Sequence, residues 1–512
     1  MGYAVTTVPS SYRAPLTAIE LVLGAGQSNA PAGRRTACYV AKKTSAGTAV
    51  VGTRYKIDTE TQAIQLFGAG SEAHRLCRMH LRANPTGYLY VTAYLASSGG
   101  SPVAASEDIV FSGTATGRGL IRILVCNEIV EFSTIQGMTP TEMGDLFDLY
   151  LADRTFLPVT SNNAAGTTTV SAKHVGASHN GIHRITILEV EPSTGVSVTV
   201  GGVSSEVLTG GADGSTTEQS NFDAALTALN STNDYYISAG VSVAGLVSSL
   251  KTHVVNKNLP INGQRCRAFY PHTGAFAAAA AIANNQNTEL MECAWMRNSD
   301  HSPDEVIAWY TAVKQLEESK NSAKNFKGYS ANGFLSPVRD SASWPKNPEI
   351  NDSMNEGMAA IVSTDTGVYL AVGVTTSSKD STGAVNDYRK NLSHRISIMH
   401  EVAEQISRNH QIDFADFIQV DDPLLEDGVT VNLAAIQEFE PRTTCPYLFE
   451  KWFLQQLGTF FPGKLQNEPQ WIANTQCRVD PQNVTRMQVS SAGRTVDPHL
   501  QATFNISETT PN

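Results

Sequence analysis

The chain has 512 residues, a formal net charge of −11, 41% hydrophobic and 17% charged residues. That length exceeds what one hydrophobic core organises, so two to four folded units are expected. The acidic balance argues against wrapping nucleic acid, which needs a basic surface. The longest apolar stretch, Ala275 to Ala283, has about half the length of a bilayer span, so no direct membrane insertion is expected.

Residues 1–22 carry prolines and no long apolar period, and read as an extended arm that offers Tyr3, Val5 and Val8. The start lacks the apolar core and cleavage site of a secretory signal, so the protein is expected to be made and kept in the cytoplasm. Strand–helix alternation then begins: a strand at Thr36 to Ala41, a helix capped by Ser71 and stopped at Pro85, and a strand at Tyr88 to Ala96. From about residue 101 to 214 the text turns rich in Gly, Ser and Thr, with short strand-like runs and one helix, Thr141 to Ala152. This reads as a β-rich insertion.

Alternation resumes with Phe222, Leu226 and Leu229 on one helical face. Strands follow at Asp234 to Ser238, Cys266 to Tyr270 and Glu289 to Met296, separated by helices around Leu246 to Val254 and Phe276 to Asn284. Ser302-Pro303-Asp304-Glu305 combines a cap, a first-position proline and acids against the dipole, a strong helix start. Repeated βα units of this length imply a mainly parallel sheet covered by helices.

Met358 to Thr364 and Val368 to Val374 are joined by Thr364-Asp365-Thr366-Gly367 and read as a hairpin. A helix from Asp387 to Asn409 places Leu392, Ile396, Met399, Ala403 and Ile406 on one stripe, with Arg389, Lys390, His394, Arg395 and Arg408 as its basic residues. An apolar helix at Cys445 to Leu457 precedes strands at Trp471 to Val479 and Val484 to Val489. In the last segment Leu500, Ala502, Phe504 and Ile506 alternate in strand fashion. The fold class is therefore α/β and α+β multidomain. A central α/β domain spans 23–100 and 215–340, interrupted by the insertion 101–214; a C-terminal α+β core spans 341–492, and arms occupy 1–22 and 493–512.

The chemistry expected of an α/β enzyme is hard to find. Gly24-Ala25-Gly26-Gln27-Ser28 precedes a strand instead of linking a strand to a helix, and no P-loop pattern occurs. His174, His179 and His183 read as exposed loop histidines, with no reason to converge on a metal. His179-Asn180-Gly181-Ile182-His183 and Gly240-Val241-Ser242-Val243-Ala244-Gly245 faintly resemble the histidine and serine motifs of subtilases. The latter lacks the threonine before serine and the closing proline, and Gly176-Ala177-Ser178 holds only half of GxSxG. The acids Asp421-Asp422 and Glu426-Asp427 share a loop with Pro423 and Gly428 and read as a solvated turn. Seven scattered cysteines (Cys38, Cys77, Cys126, Cys266, Cys293, Cys445 and Cys477) contain no CxxC pair. They read as small buried hydrophobes, with inter-subunit pairing the alternative. No catalytic, cofactor-binding or metal residue is assigned.

Four stretches resemble, in order, the Mu-like contractile tail sheath proteins, whose central unit is called subtilisin-like for its topology. They are APAGRRTACYVAKKTSAGTA (30–49) continuing through LFGAGS to ANP (55–91); VFSGTATGRGLIRILVCNEIVEF (110–132) with VSAKHVGASHNGIHRITI (170–187); NFDAALTALNSTNDYYIS (221–238) with INGQRCRAFYPHTGAFAAAAAIANNQNTELM (261–291); and GMAAIVSTDTGVYLAVGVTT (357–376) with NLSHRISIMHEVAEQI (391–406).

The resemblance implies a non-enzymatic virion subunit, assembled in the host cytoplasm. It would stack as hexameric rings around a tail tube and contract to drive the tube through the host envelope. Its partners would be other copies of the chain, the tube protein, and baseplate and tail terminator proteins. The arms, with Tyr3, Val5 and Val8 at one end and Leu500, Ala502, Phe504 and Ile506 at the other, would add strands to neighbouring subunits. The helix bearing Arg389, Lys390, Arg395 and Arg408 is the expected tube-facing element. The alternatives are a degenerate secreted subtilase-like hydrolase and a β-rich virion decoration protein.

Overall fold

A computed structural model describes residues 35–380, 382–384, 391–461, 463–481 and 483–495. Both arm segments that carry Tyr3, Val5, Val8, Leu500, Ala502, Phe504 and Ile506 lie outside these residues, as do Gly24 to Ser28, Arg389 and Lys390. The chain is a mixed α/β protein, dividing into a unit of residues 33–320 and 328–391 and a second of residues 321–327 and 392 onward.

The first unit opens with β1 (Ala37–Lys42), β2 (Arg54–Ile57), α1 (Glu60–Phe67), α2 (Glu72–Ala83) and β3 (Leu89–Tyr94). The insertion supplies β4 (Ala104–Ser112), β5 (Gly119–Val125), β6 (Glu128–Thr134), α3 (Pro140–Ala152), β7 (Val159–Ala164), β8 (Thr167–Val175), β9 (Arg184–Val190), β10 (Ser197–Val200) and β11 (Ser205–Val207). Then come α4 (Glu218–Ala228), β12 (Tyr236–Ser238), α5 (Ala244–Lys257), β13 (Arg267–His272), α6 (Phe276–Gln286), β14 (Met291–Trp295), α7 (Pro303–Glu318), β15 (Tyr329–Ser330), α8 (Asn347–Asn355), β16 (Met358–Thr364) and β17 (Gly367–Leu370).

One nine-stranded sheet runs β15-β17-β16-β14-β13-β12-β1-β3-β2. Its inner strands, from β16 to β3, are parallel, with antiparallel strands at both margins. Every residue of β1, β13 and β14 is buried, which is why ACYVAK and MECAW read as continuous rather than alternating strands. In the insertion, β10-β4-β8-β7 and β11-β9-β5-β6 form two four-stranded antiparallel sheets. Both sheets and α3 contribute to one core that includes Ile109, Phe111, Ile123, Phe132, Phe147 and Val170. Alternation of buried and partly exposed residues along β8 marks a sheet with one covered face.

Two expectations are corrected here. The C-terminal domain was expected from residue 341, yet β16 pairs in parallel with β14 and belongs to the central sheet. Its apolar run Met358 to Val362 is buried throughout, as an interior strand requires. The expected hairpin itself forms, with Thr364 opposite Gly367. Trp471 was expected on a strand but lies on a helix, Glu468–Asn474. Asn467 at φ 57° and Pro469 in the first turn start that helix before the strand Gln476–Asp480 begins.

The second unit contains α9 (Ser393–Asp413), β18 (Ile418–Gln419), α10 (Leu433–Gln437), β19 (Thr443–Thr444), α11 (Pro446–Gly458), β20 (Leu465–Gln466), α12 (Glu468–Asn474), β21 (Gln476–Asp480), β22 (Asn483–Ser490) and β23 (Arg494–Thr495). Among the described residues its sheets are three two-stranded pairs. Ile398, Val402, Ile406, Leu457, Phe460, Leu465 and Trp471 form its core cluster. Gly493 lies against the Trp471 indole, where a Cβ would fall 2.2 Å from the ring. The arm expected to begin at residue 493 therefore starts packed, and β23 pairs with β20 within the same chain.

Candidate functional site

Strand order reverses beside β1. After β1 the chain crosses to β3 on one side, then returns to β12, β13, β14 and β16 on the other. In open α/β sheets such a switch point leaves a crevice at the carboxyl ends of the strands, the usual ligand site. Lys42 ends β1 here, and Gly240-Val241-Ser242 follow β12. Glu72 and Arg75 come from the first turn of α2, and Pro303 and Asp304 from that of α7. Gly240 has to be glycine, since a Cβ would sit 2.9 Å from the Asp304 Cβ and 3.2 Å from the Glu72 carboxyl.

The crevice is filled. His174, Ser178, Ile182, His179 and His183 of the insertion line the same cavity of about 20 Å³. Lys42 Nζ lies 3.1 Å from Glu72 Oε2 and 2.9 Å from Glu218 Oε1, and donates to Ser178 Oγ at 3.4 Å. Ser178 Oγ–H donates to the other Glu218 oxygen, and the Tyr94 hydroxyl to Glu218 Oε1 at 2.9 Å. On the α7 side Arg75 contacts Asp304 at 3.1 Å and Glu305 at 3.4 Å. Ser302, expected as a cap, makes no cap bond; its Oγ accepts from Arg75 instead.

The three histidines correct another reading. They were expected as exposed loop side chains, but each is 5% exposed or less. His174 and His179 stack at 5.6 Å, and His179 and His183 at 5.5 Å. The Glu72 amide donates to His174 Nε2 at 3.1 Å, and His179 Nδ1 faces His183 Nε2 at 3.3 Å. Burial, then the Lys42 cation, hold the His174 and His179 rings well below the ordinary imidazole range. His183 is brought down to about 3 by burial and then by Arg75.

Burial would lower Lys42, but Glu218 and Glu72 outweigh it and raise the ammonium. A lysine held charged cannot act as a general base toward Ser178. Among the described residues neither Ser178 nor Ser242 has a hydrogen bond to an imidazole. The arrangement that two faint motifs suggested is thus brought together in space, yet as an ion cluster rather than a nucleophile and its base. Sequence spacing could not have found it, because Lys42, Glu72, Glu218 and Asp304 are far apart in the chain. Among the described residues, no group of three or more His, Cys, Asp or Glu could hold a metal ion.

Elsewhere, Cys38, Cys77, Cys126, Cys266, Cys293 and Cys445 are buried, Cys477 is half-buried, and all seven are free thiols in the chain. Asp427 accepts from Val429 N at 2.9 Å and Thr430 N at 2.8 Å, a turn as expected. On α9, Arg408 is exposed while His394 and Arg395 are buried. One exposed basic stripe is therefore not what this helix offers, because its amino-terminal half, Ser393 to Ala403, is buried all round.

The chain is similar to the Mu-like prophage FluMu tail sheath protein of Haemophilus influenzae, with 27% identity over 183 residues. That stretch is 36% of this chain and 37% of the relative, so the likeness spans little more than a third of the relative's length. A sheath tail protein of Listeria innocua superposes with a TM-score of 0.46 and 14% identity, over 92% of this chain and 94% of that one. One from Desulfitobacterium hafniense gives 0.45 and 12%, over 92% and 99%. No family profile matches the chain. Among the described residues no helix is long and apolar enough to cross a membrane. The resemblance to Mu-like tail sheath proteins read from the sequence is met by a curated relative of that description.

Proposed function

We propose that this chain, like the Mu-like tail sheath protein it resembles, is the structural subunit of a contractile phage tail sheath. The match to that protein is the observation that carries the reading. Subunits would stack as hexameric rings around a tail tube, joined at the ends to baseplate and terminator proteins, and contract to push the tube through the host envelope. Contraction of this kind is bistability of an assembly, in which many interfaces repack together. The filled crevice supports a non-enzymatic role, since Ser178 faces a charged lysine and a carboxylate.

The second unit supports the assembly part of the reading. Ile412, Ile418 and Val429 are 69%, 66% and 81% exposed, and among the described residues its strands pair two by two. Apolar surface and short sheets of this kind gain from strands donated by neighbours. The segments beyond β23 and before β1 would supply them, with Leu500, Ala502, Phe504 and Ile506 as one buried face and Tyr3, Val5 and Val8 as the other connector. Arg408, with Arg389 and Lys390, would meet an acidic tube.

Electron microscopy of the purified protein tests the reading: hollow, ringed tubes are expected. A monomer that persists at high concentration in every salt contradicts it. Labelling of Ser178 or Ser242 by a fluorophosphonate would contradict the non-enzymatic part.

A further inference from the structure

The insertion joins the body through two connectors, 95–103 and 208–217, that run side by side. Ser98 bridges Thr216, Val103 bridges Ala212, and Ser106 bridges Thr209. This ribbon carries Gly99, Gly100 and Gly210 at φ of 71°, 62° and 76°. Gly210 has nothing within 4 Å of a notional Cβ, and Gly214 packs on the carbonyls of Gly99 and Ser98. Two thin strands with glycines in the left-handed region make a hinge more readily than a rigid joint.

The seam facing that hinge is polar. The body's cluster around Cys38, Ile237 and Trp295 shares no residue with the insertion's cluster around Phe111 and Phe147. Across the seam the structure gives Ser178 to Lys42 and Glu218, and His174 Nε2 to the Glu72 amide. It also gives Lys173 to the Ala69 carbonyl at 3.2 Å, Asn127 to His301 at 3.2 Å, and Arg78 over the Phe156 ring at 3.7 Å. Four residues lining the cavity carry buried polar atoms without a partner: Glu72 Oε1, Arg75 Nη1, His179 Nε2 and His183 Nδ1. A cavity of about 20 Å³ has room for about one water, and a water needs two to four such partners. Polar contacts of this kind exchange for water at little net cost, unlike apolar burial.

From hinge, seam and cavity together we infer that the insertion is a hinged cap over the crevice, seated by the stacked His174, His179 and His183 and released when these imidazoles are protonated.

The charged groups facing the stack are Lys42 from β1, Glu72 and Arg75 from α2, Glu218 from α4, and Asp304 and Glu305 from α7; Lys173 and Asp213 lie on the insertion side. Seated, the rings are held neutral by burial and by Lys42 and Arg75. Released, they regain an ordinary imidazole range near 6.5. The seated state is therefore favoured fully above about pH 6.5 and loses about tenfold in its equilibrium per pH unit below that for each imidazole. Glu72 acts in the opposite sense. Burial raises its carboxyl to about 7 against the pull of Lys42, which favours the seated state at lower pH. Asp304, also raised by burial, acts with Glu72, whereas Glu218 and Glu305, held low against burial by Lys42 and by Arg75, act with the rings. The acid response thus belongs to the three rings and these two carboxylates against Glu72 and Asp304.

Hydrogen exchange of the full chain at pH 7.5 and 5.0, corrected for intrinsic rates, reads the cap directly. Peptides covering 69–76 and 173–184 should lose at least tenfold protection at pH 5.0, while β5 of the insertion and β13 of the body stay protected. A variant with His174→Gln, His179→Gln and His183→Gln should show no such difference, and His179→Gln alone should shrink it if the triple variant does not fold. Unchanged protection at the seam would overturn the cap. So would loss of protection in β5 at the same pH, because the insertion would then be unfolding and not lifting.

Discussion

The two units stand on different physics. In the first, a nine-stranded sheet buries both faces of β1, β13 and β14, and ion pairs lie in its interior. Arg267 and Lys314 meet Glu292 and Glu318 with none of the four exposed, and Arg35 and Tyr236 reach Glu318 at 3.3 and 2.6 Å. In the second unit, residues 411–440 contain no buried side chain and several large apolar ones lie open. One region carries its stability within itself; in the other, large apolar side chains lie open, the kind of surface that favours an interaction. For the sheath subunit proposed above this would be a workable division, with one unit held by its own core and another completed by neighbours.

The contrast can be broken at its strong end first. Glu318→Ala removes the partner of three cations in the interior and should cost about 3–5 kcal/mol in denaturant unfolding of the first unit. A loss under 1 kcal/mol would mean that the ion cluster is not what holds α7 to the sheet.

Acid should separate the units next. His80 is buried between the Tyr39 hydroxyl at 2.8 Å and Gln315 at 3.0 Å, and burial lowers it to about 4. The folded state favours the neutral ring, so this contribution is present above about pH 6.5 and is lost as pH falls toward 4, about 1.4 kcal/mol per pH unit. His80→Gln should flatten the acid slope of the first unit's melting temperature by that amount. An unchanged slope would refute it.

The smallest effect on folding is expected where exposure is greatest. Val429→Ser with Ile412→Ser should change monomer stability by about 0.5 kcal/mol or less. It should nevertheless raise the protein concentration needed for assembly. A drop in monomer stability without any change in assembly would place these side chains in the subunit's own fold.

Much of the first unit was legible because a parallel sheet writes itself as apolar runs spaced by helices; the hairpin at Thr364 to Gly367 and the start of α7 at Pro303 followed from turn and dipole chemistry. The boundary at residue 341 misled because an apolar run such as Met358 to Val362 does not report which sheet it joins. Trp471 misled because its apolar neighbourhood masked a proline-led helix start. At the crevice the serines and histidines were noticed as motifs, but their convergence depends on a sheet crossover that no local pattern encodes. The burial of the histidines followed from the insertion folding back onto its host, which sequence spacing does not report.

In the proposed sheath subunit, the second unit is completed by a strand from another copy. β23 ends at Thr495 and pairs within its own chain, so the deletion to make is of residues 496–512, which spares that pairing. Microscopy and melting of the full-length and deleted chains, side by side, test the claim. Tubes from the full chain, with a folded, unassembled deletion variant of unchanged melting temperature, are the predicted result. Normal tubes from the deleted chain would contradict it.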